Sequence, residues 1–337
     1  LLQPGEVGRS IGIGGADGDY ALSVAEIGFL QNGFTSITIG RSNGTHAIIV
    51  NAITFNDPVT IQTPSGGSIL VSGQITMSAA DALLIDGPGA TTTLNADIIS
   101  AGGTVEITDS VELTNDVLID TTNSGAVAAG ANITISTPGT INSSNSTARD
   151  LTFNAGTGGD ISVAGAVGGS NVLDVLTITN CDEATFSGAV SAATITLTGS
   201  TTLITFANAI TSTTAMTVGA GVNALSMLGT GDVFTGEFAP VNTGNLILGR
   251  SGGTQTYNGG LDLTGAASGE GSTVTLNGTI NTSNDALTFD DITLGSDVVI
   301  GAGSGVVTFE GTVTGTGYDM TIVAGSIVGD GTELIIA

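Results

Sequence analysis

The sequence predicts an all-β fold of the solenoid type, in which short strands coil around a narrow core. Three observations lead to this prediction. A short motif recurs along the chain, the segments beside its copies alternate apolar residues with Thr or Ser, and the composition is rich in glycine but poor in large side chains. We expect about 20 residues per coil and roughly 15 coils in the chain.

The recurring motif is an apolar residue, a small or turn-forming residue two positions later, and a second apolar residue two positions after that. "ITFNDPV" at 53–59, "ATFSGAV" at 184–190 and "VTFEGTV" at 307–313 are three copies. Ten copies begin at residues 55, 71, 94, 163, 186, 206, 234, 257, 276 and 309, the one at 94 being the weakest. Steps of 16 to 23 residues dominate. Because so short a unit cannot bury its own apolar face, this spacing predicts units that stack on their neighbours.

The middle position of the motif predicts a corner between two strands. Gly, Asn or Asp occupies it in nine of the ten copies, and these residues tolerate the left-handed backbone conformation that a sharp bend requires. Segments such as "ATITLTG" at 193–199 and "MTIVAG" at 320–325 alternate apolar with small or polar residues and are rich in β-branched side chains. We therefore expect strands with one buried face and one solvated face.

Composition favours a narrow interior. The 337 residues include 53 Gly and 10 Phe but no Trp, and 40% are hydrophobic, so the core must be built mainly from thin aliphatic side chains. The main alternative fold is a string of antiparallel Ig-like β-sandwiches. Those domains would give repeats of about 90–100 residues rather than a step near 20.

Two regions are predicted along the chain. No Pro-rich or charged linker interrupts residues 46–337, which we interpret as one continuous β-solenoid. Residues 1–45 form a distinct N-terminal segment, in which Ser23 and Glu26 have the spacing of a capping box. Val24, Ile27 and Leu30 follow at helical spacing, so a short helix is predicted within 23–33, packed on the solenoid.

The charge is strongly negative. The chain has 30 Asp plus Glu against 4 Arg and no Lys, a formal net charge of −26. Nothing in the sequence can neutralise phosphates, which excludes nucleic acid and anionic membrane surfaces as partners. No apolar run is long enough for membrane insertion. A negatively charged surface also opposes edge-to-edge pairing between strand-rich molecules, because like charges repel.

A calcium site is the functional interpretation of the acidic residues. "GGADGD" holds Asp17 and Asp19, and "FDDITLGSD" holds Asp290, Asp291 and Asp297. Carboxylate oxygens are the ligands that Ca²⁺ prefers. Loose association of counterions with a solvated surface is the competing interpretation. No other cofactor is predicted.

An enzyme is not expected. Elimination of acidic polysaccharides requires a strong base and a basic groove, but the four arginines are scattered. Hydrolysis requires paired carboxylates facing one cleft, but neighbouring residues of a strand point to opposite faces, so we interpret Asp290 and Asp291 as a solvated corner. His46 is predicted to be a surface or turn histidine, and Cys181 a buried or half-buried thiol with no sequence partner.

Long stretches resemble the repeat arrays of filamentous-haemagglutinin-type secreted exoproteins and related bacterial surface adhesins. They are "DLTFNAGTGGDISVAGAVGG" at 150–169, "LTITNCDEATFSGAVSAATITLTG" at 176–199 and "LTFDDITLGSDVVIGAGSGVVTFEGTVTGTGYDMTIVAG" at 287–325. Residues 10–44 also resemble a recurring module of these proteins. The resemblance implies a right-handed parallel β-helix, export to the cell surface or medium, and a role as a fibre, stalk or adhesive layer. It carries over no catalytic residue.

We expect a non-enzymatic structural protein that self-associates into an extracellular filament, fibre or matrix. The apolar segment "TELIIA" at 332–337, with Leu334, Ile335 and Ile336, is expected to pair with the next subunit by strand addition. An adhesin that binds carbohydrate or a host surface is the alternative, although Tyr20, Tyr257 and Tyr318 are its only tyrosines. A polysaccharide-degrading β-helix enzyme is the remote alternative.

Overall fold

The chain forms a parallel β-solenoid of about 13 turns with roughly 22 residues per turn. It is seen in a computed structural model that describes residues 1–87, 89–136, 139–145 and 147–329. The predicted all-β solenoid is confirmed. The turns are slightly longer, and therefore fewer, than we expected.

One compact unit comprises Leu1–Asp174 and Thr179–Asp182. Its strands stack in three parallel ladders, so each complete coil has three sides. The first ladder contains β3 (Ile37–Gly40), β6 (Val59–Gln62), β9 (Leu83–Asp86), β12 (Val105–Ile107), β15 (Ile133–Ile135) and β18 (Ile161–Val163). The second contains β2 (Tyr20–Leu22), β1 (Ile11–Ile13), β4 (Ala47–Val50), β7 (Ser68–Val71), β10 (Thr91–Leu94), β13 (Ser110–Leu113) and β16 (Ile141–Ser143). The third contains β5 (Ile53–Phe55), β8 (Ile75–Met77), β11 (Ile98–Ser100), β14 (Val117–Asp120) and β17 (Leu151–Asn154).

The N-terminal segment contains the predicted helix. Helix α1 spans Val24–Gly28 and begins with the predicted capping box. The Ser23 hydroxyl accepts a hydrogen bond from the Glu26 backbone N–H at 3.2 Å, and the Glu26 carboxylate accepts one from the Ser23 N–H at 2.9 Å. Ile27 is buried. The helix prediction is confirmed, although the same segment also supplies β1, β2 and β3. The proposed boundary between 1–45 and 46–337 stays a prediction.

The second compact unit comprises Val175–Ile178 and the residues from Glu183 onward. Its longest strands have 17 and 18 residues, and the pairing between them contains three register shifts. Its strands are β20 (Glu183–Phe186), β21 (Val190–Phe206), β22 (Ile210–Met227), β23 (Asp232–Phe234), β24 (Leu246–Leu248), β25 (Thr254–Tyr257), β26 (Leu261–Asp262), β27 (Val274–Asn281), β28 (Leu287–Phe289), β29 (Ile292–Gly301), β30 (Val306–Phe309), β31 (Val313–Thr314), β32 (Met320–Val323) and β33 (Ser326–Gly329). Strand β19 spans Leu173–Asn180.

The core of each unit is a set of columns, each with one buried side chain per coil. Phe186 pairs with Phe206, which pairs with Met227, which pairs with Leu248. All four are fully buried, and the rings of Phe186 and Phe206 stack with centroids 5.0 Å apart. In-register parallel strands place equivalent residues one above another, so each buried side chain packs against its counterparts in the neighbouring coils.

The recurring motif marks corners, as predicted, but not always the same corner of the coil. The copy that begins at Tyr257 turns from β25 to β26, whereas the copy that begins at Phe309 turns from β30 to β31. Strands β26, β28 and β30 belong to one ladder, so these two copies occupy different corners. This explains why the motif steps vary around the true coil length.

The predicted reason for glycine at the motif's middle position is mostly wrong. Gly278 has a positive φ of 67°, but Gly73 and Gly259 have ordinary backbone angles. A Cβ atom at Gly73 would instead collide with the backbone of Ala52, and one at Gly259 with the backbone of Glu237. Glycine is therefore required because the previous coil approaches closely, not because the bend is left-handed.

Candidate functional site

In the first predicted acidic cluster, Asp17 and Asp19, the side chain of Asp19 forms hydrogen bonds within the N-terminal segment. The Asp19 carboxylate accepts hydrogen bonds from the Ser10 N–H at 3.1 Å and the Ser10 hydroxyl at 3.0 Å, and it lies 3.4 Å from the Arg9 guanidinium. These hydrogen bonds, chiefly that from the Ser10 backbone, lower the pKa of Asp19. Asp17 is exposed beside it. Asp19 therefore links the start of β2 to the residue that precedes β1.

Two residues of the second predicted cluster, Asp290 and Asp291, lie at the corner between β28 and β29, and the third, Asp297, lies within β29. Asp290 and Asp291 are both exposed, which confirms the predicted solvated corner. Asp291 accepts hydrogen bonds from the N–H and the hydroxyl of Thr312, each at 2.7 Å, and these bonds lower its pKa. Asp297 accepts the N–H of Asp319 at 3.0 Å.

Asp291 and Asp297 are examples of a recurring contact between neighbouring coils. In each case the side-chain oxygen of an Asp or Asn accepts a backbone N–H that lies 20 to 28 residues further along the chain. Other examples are Asp97 with Leu118 at 2.8 Å, Asn132 with Asp160 at 2.9 Å, Asn245 with Thr273 at 3.0 Å and Asn284 with Ser304 at 3.0 Å. Five of these six donors lie between strands, where no ladder supplies an acceptor, and Leu118 is the second residue of β14.

A shallow acidic groove surrounds the second cluster. Asp290 and Asp291 line it together with Thr264, Ser268 and Ser272, and its volume is about 320 Å³. Within the described residues, no three or more His, Cys, Asp or Glu side chains are grouped so that they could hold a metal ion. Asp290, Asp291 and Asp297 are thus not gathered into one such group, and the calcium site stays a prediction.

The predicted assembly residues Leu334, Ile335 and Ile336 lie outside the described residues. Just before them, β32 and β33 carry the exposed apolar side chains Val323, Ile327 and Val328, which are 59%, 55% and 47% exposed.

A buried polar network in the second unit was not predicted from the sequence. Asp232, Gln255 and Tyr257 are fully buried. Asp232 accepts the Ile210 N–H at 2.8 Å and the Gln255 amide at 2.6 Å, while the Tyr257 hydroxyl donates to Gln255 at 2.9 Å. Burial raises the pKa of Asp232, and burial together with the Asp232 charge raises that of Tyr257. Tyr257 is therefore a core residue and cannot serve as an exposed aromatic for ligand binding.

Two further titratable groups are buried in the first unit. Asp109 is fully buried, its Oδ2 accepts the Thr92 hydroxyl at 2.7 Å, and its Oδ1 has no hydrogen-bond partner among the described residues. Burial raises the pKa of Asp109 to about 6.

His46 is 1% exposed, so the predicted surface position is wrong, although it does lie at the corner before β4. Its Nε2 is 3.3 Å from the Gln62 carbonyl, and burial lowers its pKa. Cys181 is buried, as predicted.

A second groove, on the first unit, also escaped prediction. It is lined by Glu112, Asn142, Ser143, Ser170 and Asn171. These residues come from successive coils, with Asn142 and Ser170 hydrogen-bonded across 28 residues. No local motif connects them, so the sequence alone carried no signal for this groove.

No known protein family matches this chain, and neither the curated proteins nor the solved structures contain a significant match. The likeness to filamentous-haemagglutinin-type exoproteins therefore remains a resemblance of sequence pattern. Among the described residues, no helix has both the length and the hydrophobicity needed to cross a membrane.

Proposed function

We propose that this protein is a non-enzymatic structural component of an extracellular filament, fibre or surface matrix. One observation carries the proposal. The carboxylates and amides at the corners are the side chains best suited to bind a metal ion or act on a substrate, but they accept backbone N–H groups from neighbouring coils. Residues used in this way stabilise a stack of coils and are poorly placed to act on a substrate.

End-to-end stacking is the proposed mode of assembly. Strands β32 and β33 are parallel to their partners β29 and β30, and they expose Val323, Ile327 and Val328. A coil supplied by a second copy would bury these side chains and continue the same ladders. The net charge of −26 opposes lateral contact between copies, which leaves the ends as the favoured contact.

Negative-stain electron microscopy of the full chain, with calcium and after chelation, tests this proposal. We expect filaments in both conditions, and we expect Ile327→Asp to shorten them. Val241→Asp is the matched control because Val241 is also partly exposed, at 43%, but lies away from β32 and β33. Single particles at every protein concentration would overturn the proposal. Filaments that fall apart only on chelation would instead indicate joints bridged by calcium.

The filamentous-haemagglutinin-type origin and the surface location are part of the same proposal. The repeat stretches at 150–169 and 287–325 support them, together with the solenoid fold in which they lie. Immunogold labelling of source cells should place the protein on the cell surface or in the medium. Label confined to the cytoplasm would contradict the location.

A surface adhesin is the second candidate function. One observation favours it, the polar groove of the first unit, whose side chains retain hydrogen-bonding capacity.

A further inference from the structure

Two adjoining hollows on the first unit form one groove. They have volumes of about 220 and 310 Å³ and share Ser143, Ser170 and Asn171. Glu112 and Asn142 face each other across β13 and β16 at one end, and Val172, which is 43% exposed, lies at the other. The groove therefore crosses neighbouring strands of the second ladder.

The wall of the groove is held in place by hydrogen bonds to β16. Oδ1 of Asn142 accepts the N–H groups of Ser170 at 2.8 Å and Asn171 at 3.3 Å. The Ser143 N–H donates to the Asn171 carbonyl at 3.2 Å, and the Ser143 hydroxyl donates to the Val172 carbonyl at 3.0 Å. Four hydrogen bonds thus fix the three-residue wall, so a ligand would meet a preformed surface with little loss of conformational entropy.

Several polar groups of the residues that line this groove remain available. The side-chain amide of Asn171, the Asn142 amide nitrogen, the Ser170 hydroxyl and the Glu112 carboxylate form no hydrogen bond with any described residue. Together they offer donors and acceptors in one concave surface. Such convergent groups are what a polar ligand requires for orientation and specificity.

The charge of the groove restricts the class of ligand. Among the described residues that line the groove, Glu112 is the only ionisable one, in a chain with a net charge of −26. Arg149 lies beside the groove, where its N–H donates to the Ser143 hydroxyl at 3.0 Å, but it is not among the residues that line the groove. An anionic ligand would therefore meet the Glu112 carboxylate and no lining cation, and a metal ion would find a single carboxylate. A neutral ligand with many hydroxyl groups can pair with the amides, the hydroxyl and the carboxylate, and place its C–H face against Val172.

We propose that this groove binds a neutral oligosaccharide. The groove lies wholly within the first unit, so binding does not depend on filament assembly, and the two proposals can fail separately.

Saturation-transfer NMR with the full chain tests the proposal. The probes are neutral gluco-, manno- and galacto-configured di- to tetrasaccharides, with uronic-acid oligosaccharides of the same length for comparison. We expect transfer to at least one neutral probe and none to the acidic ones. Asn171→Ala should weaken binding about fivefold, because one hydrogen bond is lost. Ser170→Trp should abolish binding by filling the groove.

Two matched variants control for general effects. Asn32→Ala removes an exposed amide elsewhere, and Ser162→Trp adds an indole to the exposed side of β18, outside the groove. Both should bind like the parent. Circular dichroism checks that each variant folds. If Ser170→Trp does not fold, the binding of Asn171→Ala still tests the proposal. The proposal is overturned if no neutral probe shows transfer, if the acidic probes bind better, or if neither groove variant weakens binding.

Discussion

The phenolic hydroxyl of Tyr257 donates a hydrogen bond to Oε1 of Gln255, 2.9 Å away and two residues earlier on β25. Alternate residues of a strand share a face, so both side chains enter the core, where both are fully buried. Gln255 in turn donates to Asp232 on the paired strand β23. Because a shifted pairing would leave these groups unsatisfied, the network specifies the register of the two strands.

Removing the Tyr257 hydroxyl should destabilise the fold. In Tyr257→Phe the ring still stacks on Phe234, whose centroid is 4.9 Å away, but Oε1 of Gln255 loses its donor. We expect a loss of about 1–2 kcal/mol in the free energy of unfolding, measured by urea denaturation. Tyr318→Phe is the control, because Tyr318 is 42% exposed and should change stability by less than about 0.5 kcal/mol. Equal effects of the two substitutions would contradict the network's role.

Asp109 should make the protein less stable as the pH rises. Its pKa is raised from 3.8 to about 6 in the folded state, so between these values the folded chain binds more protons than the unfolded chain. Stability therefore decreases as the pH rises through this range, by at most about 3 kcal/mol. Asp109→Asn mimics the protonated acid and keeps an acceptor for Thr92, so it should stabilise the protein at pH 7 but not at pH 4.

Urea denaturation at pH 4, 5, 6 and 7 measures this difference. Asp17→Asn removes the same charge from an exposed side chain and serves as the control. The difference in unfolding free energy between Asp109→Asn and this control should grow with pH. A difference that stays constant would show that burial of Asp109 imposes no titration cost.

The features that could be predicted from the sequence are those that neighbouring residues determine. The capping box of α1 needs only Ser23 and Glu26, three positions apart, and each corner motif spans five residues. Alternation of apolar and polar residues also reports directly on which face of a strand is buried. These local signals were sufficient to predict the solenoid fold.

Contacts between coils could not be predicted in the same way. Coil lengths vary, since β14 pairs with β17 at a separation of 34 residues where β3 pairs with β6 at 22. Without a constant offset, nothing in the sequence places Ser170 beside Asn142. Aligning the motif copies at 234 and 257 does place Asp232 beside Gln255, two residues before each copy, but it does not show that these side chains are buried and hydrogen-bonded. The burial of His46 likewise depends on the coil that covers it, and its neighbours in sequence gave no sign of this.

The corner contact of Asp291 should contribute to stability, whereas its neighbour Asp290 should not. Asp291 accepts two hydrogen bonds from Thr312, and the side chain of Asp290 forms none with the described residues. We expect Asp291→Ala to lower the free energy of unfolding by about 1 kcal/mol, as at a lost helix cap, and Asp290→Ala to change it little. Both variants remove one carboxylate from the same groove, so the pair controls for charge.

Calcium titration of the same two variants separates a structural role from a metal site. If Asp291 acts through Thr312, its substitution should lower stability equally with and without calcium. A loss of stability that appears only in the presence of calcium, and in both variants, would instead support the predicted site.

Substitution of a motif glycine should reveal how closely successive coils approach. In Gly73→Ala the new methyl group would collide with the backbone of Ala52, and the backbone cannot rotate away as a side chain can. We expect a loss of about 1–3 kcal/mol in the free energy of unfolding, which is typical of overpacking. Gly5→Ala is the matched control, because the space around Gly5 is open and its φ is negative. It should be neutral or slightly stabilising, since alanine restricts the unfolded chain. If both variants unfold at the same urea concentration, close packing of the coils does not explain why glycine recurs in the motif.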